Sequence, residues 1–236
     1  ILMERCFAVG NRTTRGFVGL IAGLPDLYGE SISTRDTSLG RVTTLATVLG
    51  RRGYETMFIY GGQPHYDHRR AFFGSNGFNR FVFEEHFVSK TFRTHLGWCD
   101  EDLYRSADAV FQAMDGDRPF FATLLTLSFH RDYAIPAGKI EPVDPDDPHA
   151  DQLDAIRYTD YALGAFFERA READYFENTI FVIAADHDGG FADTEPEPVN
   201  MRVPVLIYAP SIVGDEGRRV STVCSKADVP PTILAL

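Results

Sequence analysis

Four groups of residues in this chain have types and spacings suited to chemistry. The first is Asp186-His187, which ends the uncharged run Ile180 to Ala185 and leads into Gly189-Gly190. An adjacent carboxylate and imidazole offer hard and borderline donors to one divalent cation; the plainer alternative is a turn aspartate and a surface histidine closing a strand. The second is Arg12-Thr13-Thr14-Arg15-Gly16. A threonine hydroxyl at a helix start lies where free N–H groups and the helix dipole favour an anion, and the two arginines add to that bias. An ordinary threonine cap beside solvated arginines would look the same. The third is His130, which follows the apolar run that ends at Leu127. The fourth is the loop Gln63 to Arg70, where His65, Asp67, His68 and Arg69 crowd together just after Gly61-Gly62.

The elements that must position these groups can be read from pattern. Ile180 to Ala185 reads as a strand buried on both faces, preceded by an amphipathic helix from Gln152 to Glu172, which is the order of a parallel α/β unit. Ligands of open α/β sheets bind beyond the carboxyl ends of strands, where Asp186 and His187 stand. Glu55 to Tyr60 and Arg118 to Leu127 read as two further buried strands, with Gly61-Gly62 and Ser128-Phe129-His130 at their carboxyl ends. Arg202 to Pro210 is a fourth, and Pro204 suits its beginning or an edge position. Helices are expected from Thr13 or Thr14, as N-cap, to Leu24-Pro25-Asp26, over Thr37 to Gly53 with Leu39, Val42, Leu45 and Leu49 inward, and from an Asp100 cap to about Met114. In the helix after Gln152, Leu153, Ile156, Tyr158, Tyr161, Ala162, Ala165 and Phe166 are expected to face the core. The segments Asp132 to Pro148 and Phe191 to Asn200 read as polar excursions.

The composition sets bounds. The chain has 236 residues, 44% of them hydrophobic, enough for one large α/β domain. A net charge of −11 argues against a general nucleic-acid binder. No apolar run approaches the roughly 18 residues of a membrane span. The abrupt ends, Ile1-Leu2-Met3 and Thr232 to Leu236, read as those of a piece of a longer protein. Cys6, Cys99 and Cys224 lack metal-type spacing and leave two states open, three buried thiols or one disulfide with a free thiol.

In their order and context, the Arg12-Thr13-Thr14-Arg15-Gly16 motif, the Tyr60-Gly61-Gly62 loop with Asp67, Ser128-Phe129-His130 and Ala185-Asp186-His187 resemble the sulfatase-like branch of the alkaline phosphatase superfamily. Arg202-Val-Pro-Val-Leu-Ile-Tyr and Asp228-Val-Pro-Pro-Thr-Ile-Leu extend the resemblance over essentially the whole chain. Its nearest group is the lipoteichoic acid synthases and phosphoglycerol transferases. The resemblance implies a mostly parallel central sheet between helices. It implies that Thr13 is both nucleophile and metal ligand, that Asp186 and His187 bind the same metal, and that His130 meets the substrate phosphate or the leaving group. Arg15, His65, Asp67 and Arg69 are the implied head-group contacts. The metal implied is manganese, with zinc, magnesium or calcium as alternatives. The implied reaction moves a phosphoglycerol- or phosphoethanolamine-type head group from a phospholipid to a glycan or other acceptor through a phospho-threonine. A phosphoester or sulfate-ester hydrolase of the same fold and a non-catalytic head-group-binding domain are the rivals. Relatives of this kind act at the extracytoplasmic face of a bacterial membrane, tethered by N-terminal helices.

Three departures accompany the resemblance. The loop around Asp67 departs in sequence from that of the lipoteichoic acid enzymes, which carry a tryptophan and a histidine in it. True sulfatases carry a modified cysteine, where this chain has Thr13. The family also takes a glutamate ligand from its first strand, well before the nucleophile. Only twelve residues precede Thr13 here, and Glu4 is too close to serve. A fragment lacking that strand is expected, with weak or no metal binding of its own.

Overall fold

The structure is a computed structural model that describes residues 1–25, 29–36, 39–114, 116, 118–189, 201–214 and 216–236. Asp26, the Thr37 start of the second expected helix, Gly190 and the acidic segment 191–200 lie outside the described residues. The architecture is α/β, and the chain forms two compact units. One holds Ile1–Arg52, Asp67–Gly77 and Glu177–Leu236, and the other Gly53–Tyr66 and Phe78–Phe176.

The first unit is built on a five-stranded sheet. Strand β1 (Leu2–Phe7) pairs antiparallel with β6 (Arg202–Tyr208), which pairs antiparallel with β5 (Phe181–Ala184). Two short strands, β7 (Arg219–Val220) and β8 (Cys224–Ser225), run parallel to β1. The expected mostly parallel order is thus complete in the second unit's sheet, whereas here β6 opposes both neighbours. Along β6, Val203, Val205 and Ile207 are buried and the residues between them are not, the period-two pattern of a sheet with one covered face. Helices α1 (Thr13–Ala22) and α7 (Val229–Ala235) bring Leu20, Val229 and Ile233 against Cys6, Val182, Ala184 and Val205 to form that core. Helix α3 (Arg69–Ser75) joins through an edge-on contact of Phe73 with Phe17, ring centroids 5.6 Å apart.

Pro204 lies inside β6, and β6 is flanked on both sides, so the expected strand-start or edge position is corrected. A proline removes one ladder donor. Its carbonyl accepts from Ala185 N at 3.4 Å, so its nitrogen faces the chain just past the end of β5, where that ladder already stops, while on the other side the register of β1 shifts between Met3 and Cys6. The Glu4 carbonyl within the bulge accepts from Arg202 Nε at 2.7 Å. Strand β5 is half-buried at every position, not fully buried, and among the described residues it pairs with β6 alone. The helix expected over Thr37 to Gly53 is only α2 (Leu45–Gly50). Thr44 caps it by accepting from Thr47 N at 3.1 Å, so residues 39–43 are non-helical and Leu39 is exposed.

The second unit centres on β2 (Glu55–Tyr60), whose Met57, Phe58, Ile59 and Tyr60 are buried without a break. It runs parallel to β3 (Arg80–Val82) on one side and β4 (Phe120–Leu125) on the other, the burial expected of a parallel sheet's middle strand. Helices α4 (Asp100–Gln112) and α5 (Ala150–Ala170) pack on each other through Tyr104 and Phe166, whose stacked rings lie 5.1 Å apart. On α5, Ala155, Tyr158, Ala162, Phe166 and Ala170 form the buried stripe. Ile156 and Tyr161 are exposed, the latter beneath Lys139, which corrects the wider stripe expected from hydropathy.

Asp100 is not the cap of α4; Cys99 is. Asp100 is the first helical residue, fully buried, and its carboxylate accepts from Leu127 N at 2.8 Å, Ser128 N at 3.0 Å and the Thr159 hydroxyl at 3.2 Å. Burial pushes its pKa up, and these hydrogen bonds pull it back. It therefore fixes the chain leaving β4, just before His130. Asp100→Ala is expected to strand two buried N–H groups and cost about 2–4 kcal/mol. A urea midpoint that moves by less than about 0.5 kcal/mol-equivalent would refute this structural role.

Candidate functional site

The site in the first unit is made where α1 begins. Arg12, extended at φ −147°, is the N-cap, and no side chain caps the helix, so Thr13 is the first helical residue and not a cap. Its first-turn backbone faces the carboxyl end of β5. The contact is set by Gly16, where a Cβ would stand 2.7 Å from the Asp186 carbonyl carbon and closer still to its oxygen. Only a residue without a side chain lets α1 come this near. The hydroxyl-bearing turn of α1 and the Asp-His pair are thus neighbours in one unit despite their distance in sequence.

His187 folds back on its own strand end. Its N–H donates to Asp186 Oδ1 at 3.0 Å, its Nδ1 lies 2.8 Å from the Asp188 carbonyl, and its Nε2 lies 3.7 Å from Asp186 Oδ2. Both side chains are partly exposed, at 32% for His187 and 27% for Asp186. A carboxylate oxygen and an imidazole nitrogen 3.7 Å apart can be bridged by one cation with bonds of about 2.0–2.2 Å. Among the described residues, however, no set of three or more histidine, cysteine or acidic side chains is placed to hold a metal. The donors present, Asp186 and His187, fit a partial site.

Lys226 was not singled out by sequence. It lies in the turn Lys226–Asp228 just before α7, is fully buried, and approaches the same turn of α1: the Gly16 Cβ position is 2.8 Å from its Nζ. Burial lowers its pKa to about 8, with Asp186 and Cys6 pulling upward. Its only sequence signal is scarcity, since Lys90, Lys139 and Lys226 are the sole lysines among 23 Lys and Arg.

The other expected residues are placed as follows. Arg15 donates to the Gly29 carbonyl at 2.7 Å. Asp67 and Arg69 pair at 3.0 Å at the start of α3, with Arg69 buried and both Asp67 and His68 in the left-handed region at φ 52° and 57°. His65 and His130 belong to the second unit. There His130 lies 5.9 Å, ring to ring, from His95, and His95 Nδ1 lies 3.1 Å from Asp132 Oδ2. Thr94, His95, Leu127, Ser128, His130 and Asp132 line one small recess. His95 and Asp132 were missed because the turn that joins them is not periodic; Asp132 and Tyr133 take positive φ, 82° and 43°. All three cysteines are free thiols, with Cys6 opposite Cys224 across β1 and β8. Burial pushes the Cys6 thiol up to about 12. Among the described residues no helix is long and apolar enough to cross a membrane.

Comparison with known proteins gives the family and the fold. A solved alkaline phosphatase superfamily protein from Vibrio parahaemolyticus is 35% identical and superposes with a TM-score of 0.90 over 99% of this chain and 57% of its own. Lipoteichoic acid synthase 1 of Bacillus subtilis is 24% identical over 235 residues, which is 92% of this chain and 35% of that protein. Phosphoglycerol transferase I of Xanthomonas axonopodis pv. citri is 27% identical over 190 residues, 74% of this chain and 26% of that protein. The chain therefore spans about a third or less of these curated relatives. The sulfatase family model matches residues 1–236, across both units. The chain belongs to the sulfatase family and is an enzyme-type domain of the alkaline phosphatase superfamily.

Proposed function

We propose that this domain transfers a phospho-alcohol head group, of the phosphoglycerol or phosphoethanolamine type, from a phospholipid to a glycan hydroxyl at the outer face of a bacterial membrane. The observation that carries the reading is the close approach of α1 to Asp186 at Gly16, which sets Thr13 on the same small region as the Asp186-His187 pair.

In the first step Thr13 Oγ attacks phosphorus and gives its proton to water, while the bond from phosphorus to the diacylglycerol oxygen breaks and that oxygen takes a proton from water. In the second step an acceptor hydroxyl attacks the phospho-threonine and gives its proton to water, and the Thr13 oxygen leaves and takes a proton from water. First-turn N–H groups of α1 stabilise the charge that builds on the non-bridging oxygens. Arg15, Asp67 and Arg69, all in the first unit, orient the head group. Asp186, His187 and Thr13 would hold a divalent ion, manganese by family resemblance, which lowers the hydroxyl's pKa and polarises phosphorus when bound. A ligand from outside these residues would complete that site.

The test is to incubate the full-length protein with a fluorescent phospholipid, with and without manganese and a glycan acceptor. Head-group transfer only when the glycan is present is expected. Release in water alone would make it a hydrolase, and no product under any condition would leave a head-group-binding domain.

A further inference from the structure

Lys226 is fully buried, and its Nζ has no hydrogen-bond partner among the described residues. An ammonium buried unpaired is among the costliest groups a fold can carry, so a site that keeps one calls for a reason. Its surroundings are specific. Gly16 and Gly19 stand one turn apart on α1. A Cβ on Gly19 would lie 3.5 Å from Lys226 Cβ, and one on Gly16 would lie 2.8 Å from Lys226 Nζ. The lysine stem therefore runs along α1 toward its N-terminus, in the furrow that two absent side chains leave. The amine ends beside the first turn, next to the Asp186 backbone. The turn that carries it is held by Ser225, which accepts from Ala227 N at 3.2 Å, and by Asp228, which accepts from Ser225 N at 2.7 Å.

This placement is electrostatically unfavourable in isolation. The N-terminus of a helix carries partial positive charge, and a cation beside it adds to that field. Helix α1 has ten residues and no side-chain cap to absorb its first-turn donors. Asp186 is the carboxylate that attracts Lys226. An uncapped helix start and a buried ammonium thus meet at Asp186, and an anion there would relieve both.

We propose that Lys226 is a built-in cation of an anion site at the start of α1, a site that takes a phosphate-type group, whether a lipid phosphodiester or free phosphate. This rests on reading Thr13 and Asp186 as one phosphoryl site, and it adds to that reading a charge that the chain supplies itself. The ammonium draws the phosphate group to the turn that presents Thr13, independently of any metal.

The test uses full-length protein, treated with a chelator and titrated with inorganic phosphate. Lys226→Met keeps the stem and removes the charge. The expected result is a loss of at least about tenfold in phosphate affinity, with a urea midpoint unchanged or raised because an unpaired buried charge has gone. Lys226→Gln serves if the methionine variant does not fold. Phosphate affinity within about twofold of wild type in either folded variant overturns the proposal, as does a wild type that shows no saturable phosphate binding. The functional reading fails separately. Thr13→Ala should keep phosphate binding and lose transfer, so transfer that survives Thr13→Ala sinks the nucleophile and leaves the Lys226 site standing.

Discussion

Thr13→Ala is expected to lower head-group transfer on the order of a thousandfold or more, because covalent catalysis has no other hydroxyl in the same place. Thr14 is the adjacent candidate, but it is the next residue round the helix, and its carbonyl is already engaged by the Ser33 hydroxyl at 3.1 Å. Stability should hardly change. Thr13 makes no capping bond to α1, so the urea midpoint is expected to stay within about 0.5 kcal/mol of the parent. That separation of activity from stability is what marks a nucleophile. Intact-protein mass spectrometry after brief exposure to lipid should show a head-group phosphate on the Thr13 peptide of the parent and none in the variant. Transfer at parental rate in Thr13→Ala would remove the proposed chemistry altogether.

The second large effect is expected at Gly16. A methyl group there would collide with the Asp186 carbonyl carbon at 2.7 Å and with Lys226 Nζ at 2.8 Å. The first is backbone at the end of β5 and cannot step aside. Gly16→Ala must instead lift α1 from the strand end, at a cost of about 1–3 kcal/mol from overpacking. The same movement carries Thr13 away from Asp186. Since a misplacement of about 1 Å can cost on the order of a hundredfold in rate, transfer should fall by about that factor in protein that remains folded. Gly19→Ala is the control. Its Cβ would press on a Val9 methyl, a side-chain atom, and make only an ordinary 3.5 Å contact with Lys226 Cβ, so a milder loss is expected. Equal activity in Gly16→Ala and the parent would show that the approach of α1 to Asp186 has no catalytic meaning.

The apolar runs of β2 and β4 were legible because a strand of a parallel sheet carries an unbroken apolar string, and helix α5 because its stripe repeats at helical spacing; the run of β5 looked the same although it is half-buried and pairs antiparallel with β6. The ends of elements were less so. Thr44 stops α2 from extending backward by a bond to Thr47, a choice that hydropathy does not record. Asp100 looked like a cap because acids favour a first turn, yet its carboxylate serves the chain after β4, and that partner lies too far along the sequence to be seen. Pro204 signalled a strand start or an edge, yet it lies within β6 because its missing donor falls where the pairing with β5 has already ended.

The same division holds for the site. Residue types and their order single out Thr13, Asp186, His187 and His130 as candidates, because the groups that carry such chemistry are few and sit at the ends of recognisable elements. What the sequence could not contain was proximity between segments: that Gly16 is bare so that a helix can touch Asp186, and that Lys226 reaches the same turn along a furrow of two glycines. Local pattern follows from the period of a helix or strand, which neighbours in sequence share. A buried charge beside a distant carboxylate has no period, and it comes into being only when packing closes the space around it.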